Sequence, residues 1–214
     1  MESSALKNFN MELLFIEAKQ KNLNIELDKK ELKKLPKKLF LAYSIQYKET
    51  AGKIKKLLEK DNIKTIRFQQ VLGCSKIKTK IPVLLISTGR FHAINLFLQA
   101  PSVYVLENNK IRKIEDKEIE KIRARKKTAL IKFLKAEKIG ILVSTKPGQE
   151  NLAKALKLKQ ELIKKGKRVF IFLSDNINTN QFENFPIDSW VNTACPGLSE
   201  DNLGIINIDD LPEL

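Results

Sequence analysis

Cysteine is scarce in this chain, with two among 214 residues, and histidine and tryptophan occur once each. Two thiols do not make a disulfide scaffold for a chain of this length, so in a reducing compartment they are free thiols or metal ligands. No apolar run approaches the roughly 20 residues needed to cross a bilayer. The longest, Ile81 to Ile86 and Val169 to Leu173, are strand-sized. The apolar patch Leu13 to Ile16 is too short for a secretory signal and is closed by Glu17. These absences speak against membrane-spanning and secreted classes and imply a cytoplasmic location.

What is abundant is lysine. Forty Lys plus Arg against 25 Asp plus Glu give a formal charge of +15, an excess that attracts polyanions. The lysines spread over every predicted helix face without an aromatic stripe beside them, and only Arg123 to Lys127 forms a dense cluster. Specific nucleic-acid binding is therefore disfavoured against a solvated lysine-rich surface, although an acidic protein, or a protein bound to RNA, would suit this field. With 43% hydrophobic and 30% charged residues the chain has the balance of a folded protein.

From Lys37 onward, short β-branched and aromatic runs alternate with amphipathic stretches, the pattern of βα units and parallel sheets. Strands are expected at Lys38 to Ser44, Thr65 to Phe68, Val83 to Ser87, Ser102 to Leu106, Ile139 to Ser144, Arg168 to Leu173 and Ser189 to Thr193. Helices are expected at Thr50 to Lys60, Phe91 to Leu98, Glu118 to Glu137 and Glu150 to Lys165, the last stopped by Gly166. Residues 1–36, rich in Lys, Asn and Glu, read as an arm or remnant, residues 37–114 as an α/β domain with Cys74, and residues 115–214 as a second one with Cys195. The similar order of events in the two hints at a duplicated unit.

The unusual polar residues gather after the strands. Gln69 to Cys74, Gly89-Arg90-Phe91-His92, Lys146-Pro147-Gly148-Gln149, Ser174-Asp175-Asn176 and Thr193-Ala194-Cys195-Pro196 each follow an expected strand. In an open parallel sheet such loops share the rim where ligands bind. Lys146 to Gln149 opens a helix expected near Glu150, where free N–H groups would suit an anion; a plain turn is the competing reading. His92 alone is more often a structural hydrogen-bonder than a catalyst. No local metal-ligand spacing joins Cys74 and Cys195, so two ordinary thiols remain an alternative to thiolate ligation of an iron–sulfur centre.

Taken together, Gln70-Val71-Leu72-Gly73-Cys74, Gly89-Arg90-Phe91-His92, Lys146-Pro147-Gly148-Gln149 and Thr193-Ala194-Cys195-Pro196 resemble, in order and spacing, the diphthamide synthase family. The likeness runs from about Leu35 to the C-terminus and includes Leu35 to Lys38 and Gln46. It implies two similar small parallel-sheet βα domains with flanking helices, corresponding to the second and third domains of a three-domain family and lacking the first. It further implies a [4Fe–4S] cluster with Cys74 and Cys195 among its ligands, and S-adenosylmethionine contacted by Gln149 beside Lys146 and Gly148. Arg90 and His92 would line the same rim. No protein side chain is assigned to catalysis beyond the cluster. In such enzymes the reduced cluster cleaves S-adenosylmethionine to a 3-amino-3-carboxypropyl radical, which adds to a histidine of translation elongation factor 2.

Some positions depart from the family pattern. Gly197 stands where an arginine usually follows Thr-Ala-Cys-Pro, and Thr88 and Ala93 replace the residues that commonly flank Gly-Arg-Phe-His. With only two cysteines the chain is expected to be a transferase only with a partner, either a second polypeptide carrying the first domain or a homo- or heterodimer. The alternatives are a non-catalytic accessory subunit of that synthase and a basic RNA- or ribosome-binding α/β protein.

Overall fold

In a computed structural model the described residues are 16–18, 27–88, 90–182, 184–201 and 204–212. Most of the expected N-terminal arm lies outside them. The apolar run of β1 (Lys38–Tyr43) is buried on both faces, as a central parallel strand requires. It pairs in parallel with β2 (Lys64–Gln70) on one side and β3 (Val83–Ile86) on the other. Beyond β3 lie β4 (Val103–Glu107), also parallel, and β5 (Lys110–Lys113), antiparallel to β4, giving the order β2-β1-β3-β4-β5. Alternation along β1 feeds two cores. Leu39, Leu41 and Tyr43 pack with Ile54 and Leu58 of α2 (Lys48–Lys60), while Phe40 and Ala42 pack with Ala93, Ile94 and Leu96 of α3 (Arg90–Phe97).

The second sheet is wholly parallel, with β6 (Lys138–Ser144), β7 (Arg168–Ser174), β8 (Ser189–Asn192) and β9 (Ile205–Asn207) in the order β7-β6-β8-β9. In each sheet the first strand is central, the second lies on one side, and the third and fourth on the other. The two units thus share a strand order. Their cysteines do not share a position: Cys74 follows the second strand of its unit and Cys195 the third.

Helix α4 (Asp116–Lys135) belongs to both units. A capping box between Glu115 and Glu118 starts it; Ile119 in its first turns is buried in the first unit, and Ala129 and Phe133 are buried in the second. Across β6 and β7 lies α5 (Leu152–Lys164), which ends before Gly166 at φ 77°. An exposed ion pair, Lys76–Asp209 at 3.2 Å, also crosses between the units, and Lys126 of α4 pairs with Asp210 at 2.8 Å.

Some elements were not expected. The hairpin joining β4 to β5 turns on Asn108 and Asn109, both at positive φ (47° and 61°), the conformation of a tight two-residue turn. β5 offers one buried residue, Ile111, among charged neighbours, so its hydrophobic pattern is too thin to read. Short β9 and the single turns α1 (Lys29–Leu32) and α6 (Leu198–Asp201) are similarly brief. Within the segment expected as an arm, Leu32 and Leu35 are buried in the first core, and Glu31 Oε2 accepts the Ile111 N–H at 2.5 Å.

Two positions in the second unit carry measurable weight. Gly140 in β6 leaves room for Trp190, since a Cβ there would lie 2.3 Å from the indole ring. Trp190 in turn packs on Phe172 and Phe182. Gly140→Ala is expected to cost about 1–3 kcal/mol by overpacking, read by urea denaturation with the fluorescence of this sole tryptophan. Asp188 Oδ2 accepts the N–H groups of Lys138 (2.7 Å) and Glu137 (3.0 Å), tying the start of β6 to the approach to β8. Those bonds hold its carboxyl below the ordinary carboxylate range. The stabilisation is present above the unfolded value near pH ~3.9 and is lost as pH falls through the lower folded value. Asp188→Asn should lower the denaturation midpoint at pH ~7, and its deficit against wild type should shrink on acidification below pH ~4; a deficit independent of pH would contradict this.

Candidate functional site

The turn after β2 carries Cys74. Its backbone is held by α3 and the turn after it, because Asn95 Nδ2 and Gln99 Nε2 both donate to the Ser75 carbonyl, at 3.1 and 3.0 Å. Ser75 Oγ accepts the Leu72 N–H at 2.8 Å, closing the turn from within. Gly73 is the position that matters most. A Cβ on it would fall 2.0 Å from Phe91 Cε1, so the phenyl ring rests directly on the backbone of this turn.

Cys195 sits on the turn after β8, and buried amides hold it. Asn192 Nδ2 donates to the Cys195 carbonyl (2.8 Å) and to Asn207 Oδ1 (2.8 Å), while Asn192 Oδ1 accepts the Ala194 N–H (2.9 Å). Asn207 Nδ2 continues to the Pro196 carbonyl at 3.2 Å and Ser199 Oγ at 2.7 Å. In an environment with little water such bonds are strengthened, and a missing partner would be costly.

These two turns meet at Phe91. The Cβ position of Gly197 lies 3.7 Å from Cys195 Sγ and 3.8 Å from Phe91 Cε1, so the ring that rests on Gly73 also abuts the Cys195 turn. Gly73, Cys74, Phe91 and Pro196 line one cleft between the two units. Both thiols are exposed and free. Thiolates on anchored, solvent-accessible turns suit ligation of a soft metal centre. They fit as part of a ligand set, since among the described residues no group of three or more His, Cys, Asp or Glu side chains could hold a metal by itself.

On the other side of the Cys195 turn is a second cleft, lined by Cys195, Lys146, Gln149, Asp175 and Asn176. It collects the ends of β6, β7 and β8. Gly148, at φ 78°, lets the loop after β6 turn back, and Gln149 N–H closes the turn on the Lys146 carbonyl at 3.0 Å. Asn151 Nδ2 fastens this loop to the Cys195 strand, donating to the Thr193 carbonyl at 2.9 Å and the Gln149 carbonyl at 3.2 Å. The helix itself begins later than expected, at Leu152 rather than near Glu150. Glu150 Oε1 accepts the Leu152 N–H at 3.3 Å, so a carboxylate of the chain already occupies the helix start proposed for an external anion.

His92 lies apart from both clefts. It is half-buried in α3, its ring packs edge-on to Phe91 at 6.1 Å, and desolvation pushes its pKa below the ordinary value, favouring the neutral imidazole. Gly89 and the Arg90 side chain lie outside the described part of the structure. Thus Cys195, Lys146 and Gln149 share one cleft, with Gly148 shaping their loop, and Cys74 joins them through Phe91. Sequence reasoning missed the anchoring roles of Asn192, Asn207 and Asn151; an Asn ending the apolar β8 was the available signal.

Comparison with known proteins gives this geometry a context. Residues 3–204 match the family described as diphthamide synthesis proteins. The 2-(3-amino-3-carboxypropyl)histidine synthase of Pyrococcus horikoshii is 25% identical over 186 residues, covering 81% of this chain and 54% of that protein. Subunit 1 of the synthase from Nematostella vectensis is 28% identical over 139 residues, covering 62% of this chain and 30% of the relative. This chain therefore spans about half, or less, of the curated relatives' length. The crystal structure of Dph2 from Pyrococcus horikoshii superposes with a TM-score of 0.74 at 25% identity, covering 85% of this chain and 58% of that one, and the same protein has been solved with a 4Fe-4S cluster. The α/β architecture of parallel sheets expected from the sequence is shared with that structure. By the match over nearly its whole length, the chain belongs to the diphthamide synthesis protein family.

Proposed function

We propose that this chain takes part in the first step of diphthamide synthesis, the transfer of a 3-amino-3-carboxypropyl group from S-adenosylmethionine to a histidine of translation elongation factor 2. The supporting observation is that the turns carrying two exposed cysteines, from different sheets, meet at one ring, Phe91, beside a cleft bearing Gln149. Cys74 and Cys195 would hold a [4Fe–4S] cluster, which when bound supplies the electron that splits the S–Cγ bond of S-adenosylmethionine. This chain contains no third cysteine. A further thiolate comes in this reading from a second polypeptide or another subunit, making the chain one part of a transferase in the cytoplasm.

The protein's own contribution is placement. Gly73 and Phe91 set the approach of the two thiol-bearing turns, and the Asn192–Asn207 pair keeps the Cys195 turn from relaxing. Gln149 and Lys146 reach the cleft where S-adenosylmethionine would lie, on a loop whose reversal Gly148 permits. Arg90 and His92 open α3 on either side of Phe91, and His92, half-buried and favoured as the neutral imidazole, supports that ring from outside the clefts.

A second reading, a non-catalytic accessory subunit, draws support from Gly197. A side chain at 197 would meet only ordinary contacts at 3.7 to 3.8 Å, so steric need does not account for the glycine.

Anaerobic coexpression with a polypeptide supplying the third cysteine should yield a brown complex containing iron and sulfide, and Cys74→Ala or Cys195→Ala should each abolish the visible absorbance. Unchanged iron content in both variants would eliminate the proposed ligand set. Gly73→Ala keeps both thiols but displaces Phe91; it should cost about 1–3 kcal/mol of stability and lower iron retention below wild type in the same assay. Production of methylthioadenosine by a Gly197→Arg complex but not by wild type would favour the accessory reading.

A further inference from the structure

Each of the two sheets has two edges, and three of the four are built so that another strand pairs with them poorly. β2 carries Lys64 and Arg67 and shifts register opposite Leu39 and Phe40. β5 reads Lys-Ile-Arg-Lys, and β9 is three residues long. The fourth edge, β7, has no charge, glycine or proline between Arg168 and Ser174, and it pairs with β6 without a shift. Phe170 is 43% and Leu173 51% exposed. The Arg168 N–H donates to the Glu137 carbonyl (2.8 Å) and the Thr145 N–H to the Ser174 carbonyl (3.1 Å), so the even-numbered residues of β7 bond β6. Val169, Ile171 and Leu173 therefore turn their N–H and C=O groups to the side where no described strand lies.

The helix over this edge matches it. Ala153, Leu156, Gln160 and Ile163 of α5 form an exposed, uncharged stripe at spacings of three and four, about a quarter-turn from the buried Ala155, Leu158 and Leu162. With the right-handed crossover of parallel βαβ units, that stripe faces outward beyond β7. The corresponding flank of α2, over β2, presents Lys48, Lys55 and Glu59 instead, with Lys55 Nζ 5.6 Å from the centre of the Phe68 ring.

The strand itself specifies what covers it. Lys167-Arg168-Val169-Phe170-Ile171-Phe172-Leu173-Ser174-Asp175 is symmetrical in kind about Ile171, basic at one end and acidic at the other. We infer that this edge binds a second copy of the chain, β7 pairing antiparallel with its own counterpart about a two-fold axis at Ile171. In that register Ile171 faces Ile171 and Val169 faces Leu173, each pair exchanging N–H···O bonds through the groups left open. Phe170 meets Phe172 between those pairs on the other face, an aromatic cross-strand contact. The Lys167–Arg168 end of each copy comes against the Ser174–Asp175 end of the other, at the rim of the cleft that Asp175 lines. A net charge of +15 on each chain repels a second copy from the lysine-rich surfaces, so an uncharged strand and helix flank are where two copies can meet.

Sedimentation equilibrium of the full-length chain reads the pairing directly. Wild type should have twice the 24.5 kDa mass of one chain. Leu173→Pro removes an outward N–H and no bond to β6; it should raise the dimer dissociation constant roughly 10- to 100-fold with far-UV circular dichroism unchanged. Leu156→Glu, on the exposed helix flank, should act in the same direction, and Ile66→Lys on β2 should leave the dimer intact. Arg168→Glu should weaken the dimer, and adding Asp175→Arg should restore it, as antiparallel self-pairing requires. A wild-type mass of one chain, an open-ended series of larger species, or a dimer indifferent to both Leu173→Pro and Leu156→Glu would overturn the pairing and leave the edge to a separate polypeptide or to the chain's own N-terminal residues. The function proposed above rests on the cysteine turns and is judged separately, by iron content.

Discussion

A phenyl ring resting on bare backbone holds the functional end of this molecule together. Phe91 takes the space that any side chain at position 73 would need, and its far edge meets the turn that carries Cys195. Two residues remote in sequence are thereby brought to a common place without a covalent link between them. The arrangement is specific because the half-buried ring cannot shift without losing van der Waals contact on one turn or the other. The chemistry of the thiols is secondary to that fit, since a soft metal centre needs ligands set at defined separations.

Around this contact the two units use the same physical device. Each cysteine-bearing turn is held through its own carbonyls by carboxamide side chains: Asn95 and Gln99 on one side, Asn192 and Asn207 on the other. An amide can donate and accept at once, so one side chain satisfies several backbone groups where no regular ladder exists. The sulfurs themselves remain exposed and take no part in this scaffolding. Rigid support beneath accessible thiols is the combination that a binding turn requires.

Much of the fold was legible because parallel strands buried on both faces write long apolar runs, as in Leu39 to Tyr43 and Ile139 to Val143. Helices α2, α4 and α5 carried a clear apolar stripe, and Gly166 marked a stop that the backbone confirms. Legibility failed where few residues are buried. In β5 only Ile111 faces the core, and β9 is three residues long. The start of α5 was misplaced because Gly148 and Glu150 form a separate turn before the helix. At the site, the loops were visible as polar residues following strands, yet their convergence was not, since it depends on Phe91 meeting Gly73 and Gly197 across the boundary between two sheets. Likewise the non-equivalent positions of the cysteines in two units of equal topology could not be read from order alone.

Helix α4 is anchored in one core by Ile119 and in the other by Ala129 and Phe133, so it works as a phase-locked shaft between them. Each residue of an α-helix advances it about 100°. A single inserted or deleted amino acid between those anchors would therefore rotate one half of the molecule by more than a quarter-turn against the other, swinging one sulfur away from its counterpart even though every local motif stayed intact. Length variation along such a lineage should be confined to the surface loops, with the spacing from Ile119 to Ala129 held constant.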